Sequence, residues 1–203
     1  MGFYRRVLFP RLLDRTMRAR EAAERRARLL PAAAGRVLEV GIGSAHNLPF
    51  YGPSVSEVTG VDPSPELLAI ARRRHRGGVP LILVEGGAES LPFEDARFDT
   101  AVSTWSLCSM ADLAVALAEV RRVLKPGGMF LFVEHGRAPD AAIARWQARL
   151  DPLWTRIAGG CHLDRAIDRA IVAAGFRVER LETGYMAVPR VLGFTYEGVA
   201  RPA

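Results

Sequence analysis

The stretch Gly35-Arg36-Val37-Leu38-Glu39-Val40-Gly41-Ile42-Gly43-Ser44-Ala45 constrains the fold most. Val37, Leu38 and Val40 form a short apolar run of the kind that becomes a buried strand. The run carries an acid, Glu39, and leads into two glycines one residue apart. Glycine there permits a sharp turn and lets a ligand reach bare backbone. The next residues, through Asn47 and Leu48, read as the start of a helix whose free N–H groups face the same spot. Alone, a Gly-x-Gly pair also suits a tight turn that binds nothing. The three-glycine form of this loop would place its last glycine where the chain has His46.

The neighbouring segments favour a ligand. Residues 57–62 read as a second buried strand ending in Asp62, 23 residues after Glu39. A carboxylate there is placed to accept hydrogen bonds from a ribose diol. Its bland alternative is to cap the helix opened by Pro63-Ser64-Pro65-Glu66, for which Ser64 is the other candidate. Further strands are expected at 80–85, 98–103 and 129–135, with an amphipathic helix over 111–124 stopped by Lys125-Pro126-Gly127-Gly128. Strand and helix in alternation mean a parallel sheet covered on both faces. The last third reads as a helical insertion over 141–157, a helix over 164–174, and strands over 176–182 and 191–200. No helix is expected between the last two strands, so they form a hairpin and one strand runs antiparallel. The predicted class is α/β: a Rossmann-like, doubly wound seven-strand sheet, mostly parallel.

Charge divides the chain at the glycine loop. Residues 1–35 hold nine arginines against three acids, which accounts for the whole formal charge of +6. The remainder balances at 19 basic and 19 acidic residues, so no nucleic-acid-reading face is expected on the domain. The predicted organisation is an N-terminal helical arm over 1–34 and a catalytic domain over 35–203. Within the arm, Phe3, Val7 and Leu8 sit at helical spacing before Pro10, and Asp14 to Leu30 reads as one long helix. The arm can serve as a lid, as a packing helix or as a peripheral membrane contact. No apolar run approaches the ~18 residues of a membrane span. Cys108 and Cys161 stand alone, without metal-binding spacing, so no metal is expected and a reducing, cytoplasmic setting is the default. Oligomeric state is not legible.

Five segments together resemble the ordered motifs of class I S-adenosylmethionine-dependent methyltransferases. They are Glu39-Val-Gly41-Ile-Gly43, Val61-Asp62, Gly87 to Phe93, Phe98-Asp99 and Val123 to Gly128. Within that superfamily the chain is similar to the small quinone-type and thiol S-methyltransferase branch. Leu107-Cys108-Ser109, Glu134-His135 and the run from Asp151 to Arg165 carry that likeness. The resemblance implies S-adenosylmethionine as cofactor. Gly41 and Gly43 would approach its methionine part, Glu39 its amino group, and Asp62, with Pro63 beside it, its ribose. Ala88 and Glu89 would border the adenine, and Ser103 would line the far wall. Many relatives have Asp where this chain has Gly87, so Glu89 or backbone would replace that adenine contact.

Methyl transfer asks little of the protein beyond a nucleophile held in line in a dry site. A thiol acceptor must ionise to attack well, so a base or positive field would help. His135, at the end of a strand, and His162 are the candidate catalytic residues. Either can instead be a hydrogen-bonded structural histidine. Tyr4, Trp105, Leu107, Trp154 and Tyr185 are candidates to line an apolar substrate pocket, or are ordinary core. The expected acceptor is a small apolar molecule, foremost a thiol. A quinol or phospholipid amine is the competing class, and a cofactor-binding module without catalysis the non-enzyme alternative.

Overall fold

The computed structural model describes residues 8–203; Phe3, Tyr4 and Val7 lie outside them. Seven strands are present: β1 (Gly35–Val40), β2 (Val55–Asp62), β3 (Leu81–Glu85), β4 (Phe98–Thr104), β5 (Leu124–His135), β6 (Phe176–Tyr185) and β7 (Phe194–Pro202). They form one sheet in the order β3-β2-β1-β4-β5-β7-β6. Strand β7 runs antiparallel to both β5 and β6, and every other pairing is parallel. This is the predicted doubly wound sheet with its single reversed strand. Val37, Leu38 and Val40 are wholly buried, as an apolar run in a central strand requires.

The helices are α1 (Phe9–Thr16), α2 (Arg20–Leu29), α3 (Pro65–Arg74), α4 (Leu113–Val123), α5 (Ala141–Ile157), α6 (Ile167–Ala173) and the single turn α7 (Arg190–Gly193). Ser64, Asp112 and Asp140 cap α3, α4 and α5 with their side-chain oxygens. Two hydrophobic clusters fill the space between sheet and helices. One gathers Leu117, Val120, Phe130, Phe132, Ile167 and Phe176; the other gathers Leu29, Leu30, Val37, Val58, Leu68 and Leu131.

Three expectations need correction. No α-helix follows the glycine loop: residues 41–47 are turns and Leu48–Phe50 is a short 3-10 helix. Ala45 sits at φ 60°, and Pro49 removes a backbone donor, so a helix cannot propagate there. The arm is two helices, because Met17-Arg18-Ala19 breaks the expected continuous one. Pro10 occupies the first turn of α1, where a missing N–H costs nothing. The hairpin between β6 and β7 also contains the turn α7, where no helix is expected from the sequence.

Candidate active site

Glu39 and Asp62 stand at the carboxyl ends of the adjacent strands β1 and β2, where open α/β sheets bind ligands. The loop after β1 is held against β2 by Gly41 and Ile42, whose N–H groups both donate to the Val61 carbonyl. Gly41 has φ 69°, and a Cβ on it would lie 2.3 Å from Ser106 Cβ, so only glycine fits. Gly43, at φ 54°, faces open space instead; the nearest atom to its Cβ position is 4.0 Å away. Asp62 accepts from the Gly43 N–H at 2.9 Å and from the Ser64 N–H at 2.8 Å. It thus clamps the loop to the start of α3, while Ser64 caps that helix. Burial pushes the Asp62 carboxyl up, against those two hydrogen bonds.

Glu39 is buried, and its oxygens accept from Asn47 Nδ2 at 2.9 Å and Tyr51 Oη at 2.6 Å. Burial pushes its pKa up to about 7, opposed by the Tyr51 hydrogen bond and by Arg26. Asn47 also accepts from Arg26 Nε at 2.8 Å, and the Arg26 guanidinium lies 4.9 Å from the centre of the Trp105 ring. The arm therefore reaches the glycine loop through α2.

It does so through α1 as well. Asp14 accepts from Ser44 Oγ at 2.6 Å and Arg74 Nη2 at 2.6 Å, and bonds His46 Nε2 at 2.9 Å. The position without the third glycine is thus the position that holds α1. Glu197 of β7 fastens α2 by accepting from Arg25 and Arg28.

Of the remaining cofactor candidates, Ala88 is buried and Pro63 exposed beside Asp62. Glu89 is turned toward the start of α4, accepting from the Ala111 N–H at 2.9 Å. Ser103 is fully enclosed and donates to Glu134 Oε1 at 2.7 Å. Glu134 also accepts from the Ser106 N–H at 3.1 Å. Burial pushes its pKa to about 7, with the Ser103 and Ser106 bonds pulling the other way.

The acceptor candidates divide. His135, at the end of β5, is buried with Nδ1 3.6 Å from Cys161 Sγ and Nε2 without a partner. Cys161 follows α5, and Trp154 lies against its sulfur. Cys108 and Cys161 meet at an Sγ separation of 3.4 Å, a contact that lowers the Cys161 thiol and raises the Cys108 thiol. The fold therefore assembles two cysteines and a histidine that no local spacing announces. Tyr185 ends β6 at the same sheet edge, with its buried hydroxyl unpartnered and Arg190 over its ring. Leu107 is wholly enclosed in the core, and Trp105 packs on the arm side. His162 is held by Asp151, Nδ1 to Oδ2 2.8 Å, while Asp151 also accepts from the Leu163 N–H. Sequence reasoning gave no site role to Arg26 or Tyr51, to Asn47, read only as part of a helix start, or to Glu134, read only as part of the likeness. An acid directly before His135 was a signal for the last; the others depend on tertiary approach.

A protein-family model described as a methyltransferase domain matches residues 38–132. Phosphatidylethanolamine N-methyltransferase of Cereibacter sphaeroides is 36% identical over 157 residues, covering 74% of this chain and 73% of that protein. The chain belongs to the S-adenosylmethionine-dependent methyltransferases. A thiol S-methyltransferase of Rattus norvegicus is 38% identical over 152 residues, covering 72% of this chain. The chain spans 62% of that relative's length. A solved SAM-dependent methyltransferase of Thermotoga maritima shares the fold, with a TM-score of 0.69, 21% identity and coverage of 96% and 98% of the two chains. Membership of this class implies S-adenosylmethionine as the methyl donor. The donor set fits that cofactor: two buried acids on adjacent strand ends, with open space at Gly43 between them.

Proposed function

We propose that this methyltransferase methylates a small apolar thiol. The carrying observation is His135: a buried imidazole with a free nitrogen at the strand end, beside Cys161 and Trp154. A buried polar atom without a partner is costly unless a ligand or its chemistry uses it. The likeness to thiol S-methyltransferases supports the same reading. In it, Glu39 holds the cofactor's amino group, Asp62 its ribose hydroxyls, and Gly41 and Gly43 its methionine chain. Pro63, Ala88 and Glu89 border the nucleoside. Ser103 acts from behind, through Glu134 and Ser106. The bound cofactor supplies an activated methyl on a sulfonium. The chain's own work is to align the acceptor, exclude water and favour the thiolate. That last task falls to His135; His162 positions the loop through Asp151.

The arm completes the proposal as a lid. Asp14 and Arg26 fasten it to the glycine loop, and a Cβ on Gly159, after α5, would lie 2.2 Å from the Phe9 ring. One element thus touches both ends of the site. A second reading has its own support. Trp146, Leu150 and Leu153 are exposed on α5 beside exposed Arg145, Arg149 and Arg156, and Leu8, just before α1, and Leu12 on it are exposed. Such a face suits an anionic bilayer and hence a phospholipid amine. No helix among the described residues is long and apolar enough to cross a membrane. An acceptor panel of alkyl thiol, quinol and phosphatidylethanolamine, read by mass spectrometry, tests both. Methylation of the lipid or the quinol without the thiol sinks the first reading.

A further inference from the structure

Three metal-ligating side chains from three segments meet at the acceptor end. Cys108 follows β4, His135 ends β5 and Cys161 follows α5. One ligand atom from each lies within 4.8 Å of the others. The cysteines are free, and their 3.4 Å Sγ separation is well beyond the ~2.05 Å of a disulfide. Thiols are weak hydrogen-bond partners, so mutual bonding is a poor reason for gathering these groups. The spacing matches coordination to a common cation. Tetrahedral zinc, with Zn–S of ~2.3 Å and Zn–N of ~2.0 Å, separates two sulfurs by about 3.8 Å and a sulfur from a nitrogen by about 3.6 Å. The observed edges are 3.4 and 3.6 Å. Cys108 and His135 are 2% and 7% exposed while Cys161 is half-buried, and His135 Nε2 has no partner. Thiolates and imidazole select zinc-type cations over magnesium or calcium. A second cluster, Asp151, His162 and Asp164, is accounted for by the bonds Asp151 makes to His162 and Leu163.

We propose that Cys108, Cys161 and His135 hold one zinc-type cation, and that its open fourth position receives the sulfur of the acceptor thiol. The second half rests on the thiol reading above. Three protein ligands and one open position are the arrangement of zinc sites that act on a bound substrate. A coordinated thiol gives up its proton at neutral pH, here to solvent, so His135 favours the thiolate as a ligand of the cation rather than as a base. A lone pair on that sulfur forms the new C–S bond to the methyl carbon. The sulfonium C–S bond breaks, and its electron pair stays on the departing thioether sulfur. No oxidant or reductant is needed. The two cysteines are ligands here, and neither attacks the methyl group.

The test uses the full chain, reduced and freed of metal by a chelator. Titration with Co²⁺ should show one ion per chain and a thiolate-to-cobalt charge-transfer band, lost on adding one equivalent of Zn²⁺. C108S and C161S should each weaken binding by more than the ~10–100-fold cost of losing an outer-shell partner. X-ray absorption at the zinc edge of the wild-type protein requires no variant and should show two sulfur neighbours. Adding an alkyl thiol should raise that count to three, and adding a quinol should not. No stoichiometric binding, a sulfur-free first shell, or a Cys108–Cys161 disulfide in freshly purified protein would overturn the site. A bound cation indifferent to alkyl thiol overturns the second half. So does full thiol turnover by zinc-free protein, which leaves the thiol reading itself standing.

Discussion

The two ends of the site are built differently. At the cofactor end, the residues that hold the loop come mostly from one short piece of chain, and the carboxylates are already engaged. Glu39 is met by Asn47 and Tyr51, and Asp62 by Gly43 and Ser64. At the acceptor end, Cys108, His135, Cys161 and Tyr185 come from four distant segments, and His135 Nε2 and Tyr185 Oη are left without partners. The first end is preorganised by its own neighbours. The second stores its hydrogen-bonding capacity for something that is not the protein. A region's internal satisfaction thus separates the half that is scaffold from the half that does chemistry.

The largest effect should come from breaking the acceptor end alone. In His135→Ala, the rate with a simple alkyl thiol should fall about 100- to 10,000-fold, the range for losing a group that favours the thiolate. Cofactor affinity, read by calorimetry, should hardly move. An aryl thiol already ionised at neutral pH should lose much less. Equal losses for both thiols would show that His135 does not act on ionisation.

The converse break is Asp62→Ala. It removes the acceptor for two backbone N–H groups and, in the proposed site, a ligand for the cofactor. Each charge-assisted bond is worth ~1.5–3 kcal/mol, so affinity should drop about 10- to 100-fold and the melting temperature should fall too. Tyr185→Phe is the matched control, because it deletes only an unpartnered hydroxyl. Its cofactor affinity should match wild type while the acceptor KM changes. A Tyr185→Phe enzyme with weakened cofactor binding would erase the contrast between the ends.

The same contrast explains what the sequence disclosed. The glycine loop, Asp62 and the strand rhythm were legible because each depends on residues adjacent in the chain: a buried run, a turn, a cap. The absent helix after β1 was misread because Ala45 takes a positive φ that its residue type does not signal. The Asp14 and Arg26 contacts arise only when α1 and α2 fold back over the loop. The Cys108–His135–Cys161 group has no motif, since its members are 27 and 26 residues apart and meet only because β4, β5 and α5 end at one place.

pH offers a finer comparison. Glu39 and Glu134 are both raised by burial from 4.5 to about 7. The folded state then holds protons that the unfolded chain has released, so stability falls as pH rises from about 4.5 through about 7. Glu39→Gln and Glu134→Gln should each flatten that slope in denaturant titrations. Only Glu39 faces the cofactor's ammonium in the proposed site. Cofactor binding near neutral pH should therefore release a proton, seen as a buffer-dependent calorimetric enthalpy, and Glu39→Gln alone should abolish it. Loss of that release in Glu134→Gln instead would reverse the assignment.

The smallest expected effect concerns the arm that bridges both ends. Asp14 is nearly buried on α1 and accepts from Ser44, Arg74 and Arg18. Burial raises its pKa, but those bonds outweigh it and hold the carboxyl below its ordinary 3.8. A depressed acid stabilises the fold above its unfolded value and loses that contribution as pH falls through its folded one. Docking of the arm should thus persist at neutral pH and weaken only in acid. Asp14→Asn keeps the shape and removes the charge, which isolates the docking contribution. Amide exchange in α1 should quicken while the central strands stay protected, since local opening need not involve the core. As a lid, the loosened arm should lower turnover and cofactor affinity several-fold, because both ends lose their shared cover. Faster exchange in α1 with unchanged turnover would mean that α1 packs on the loop without closing the site.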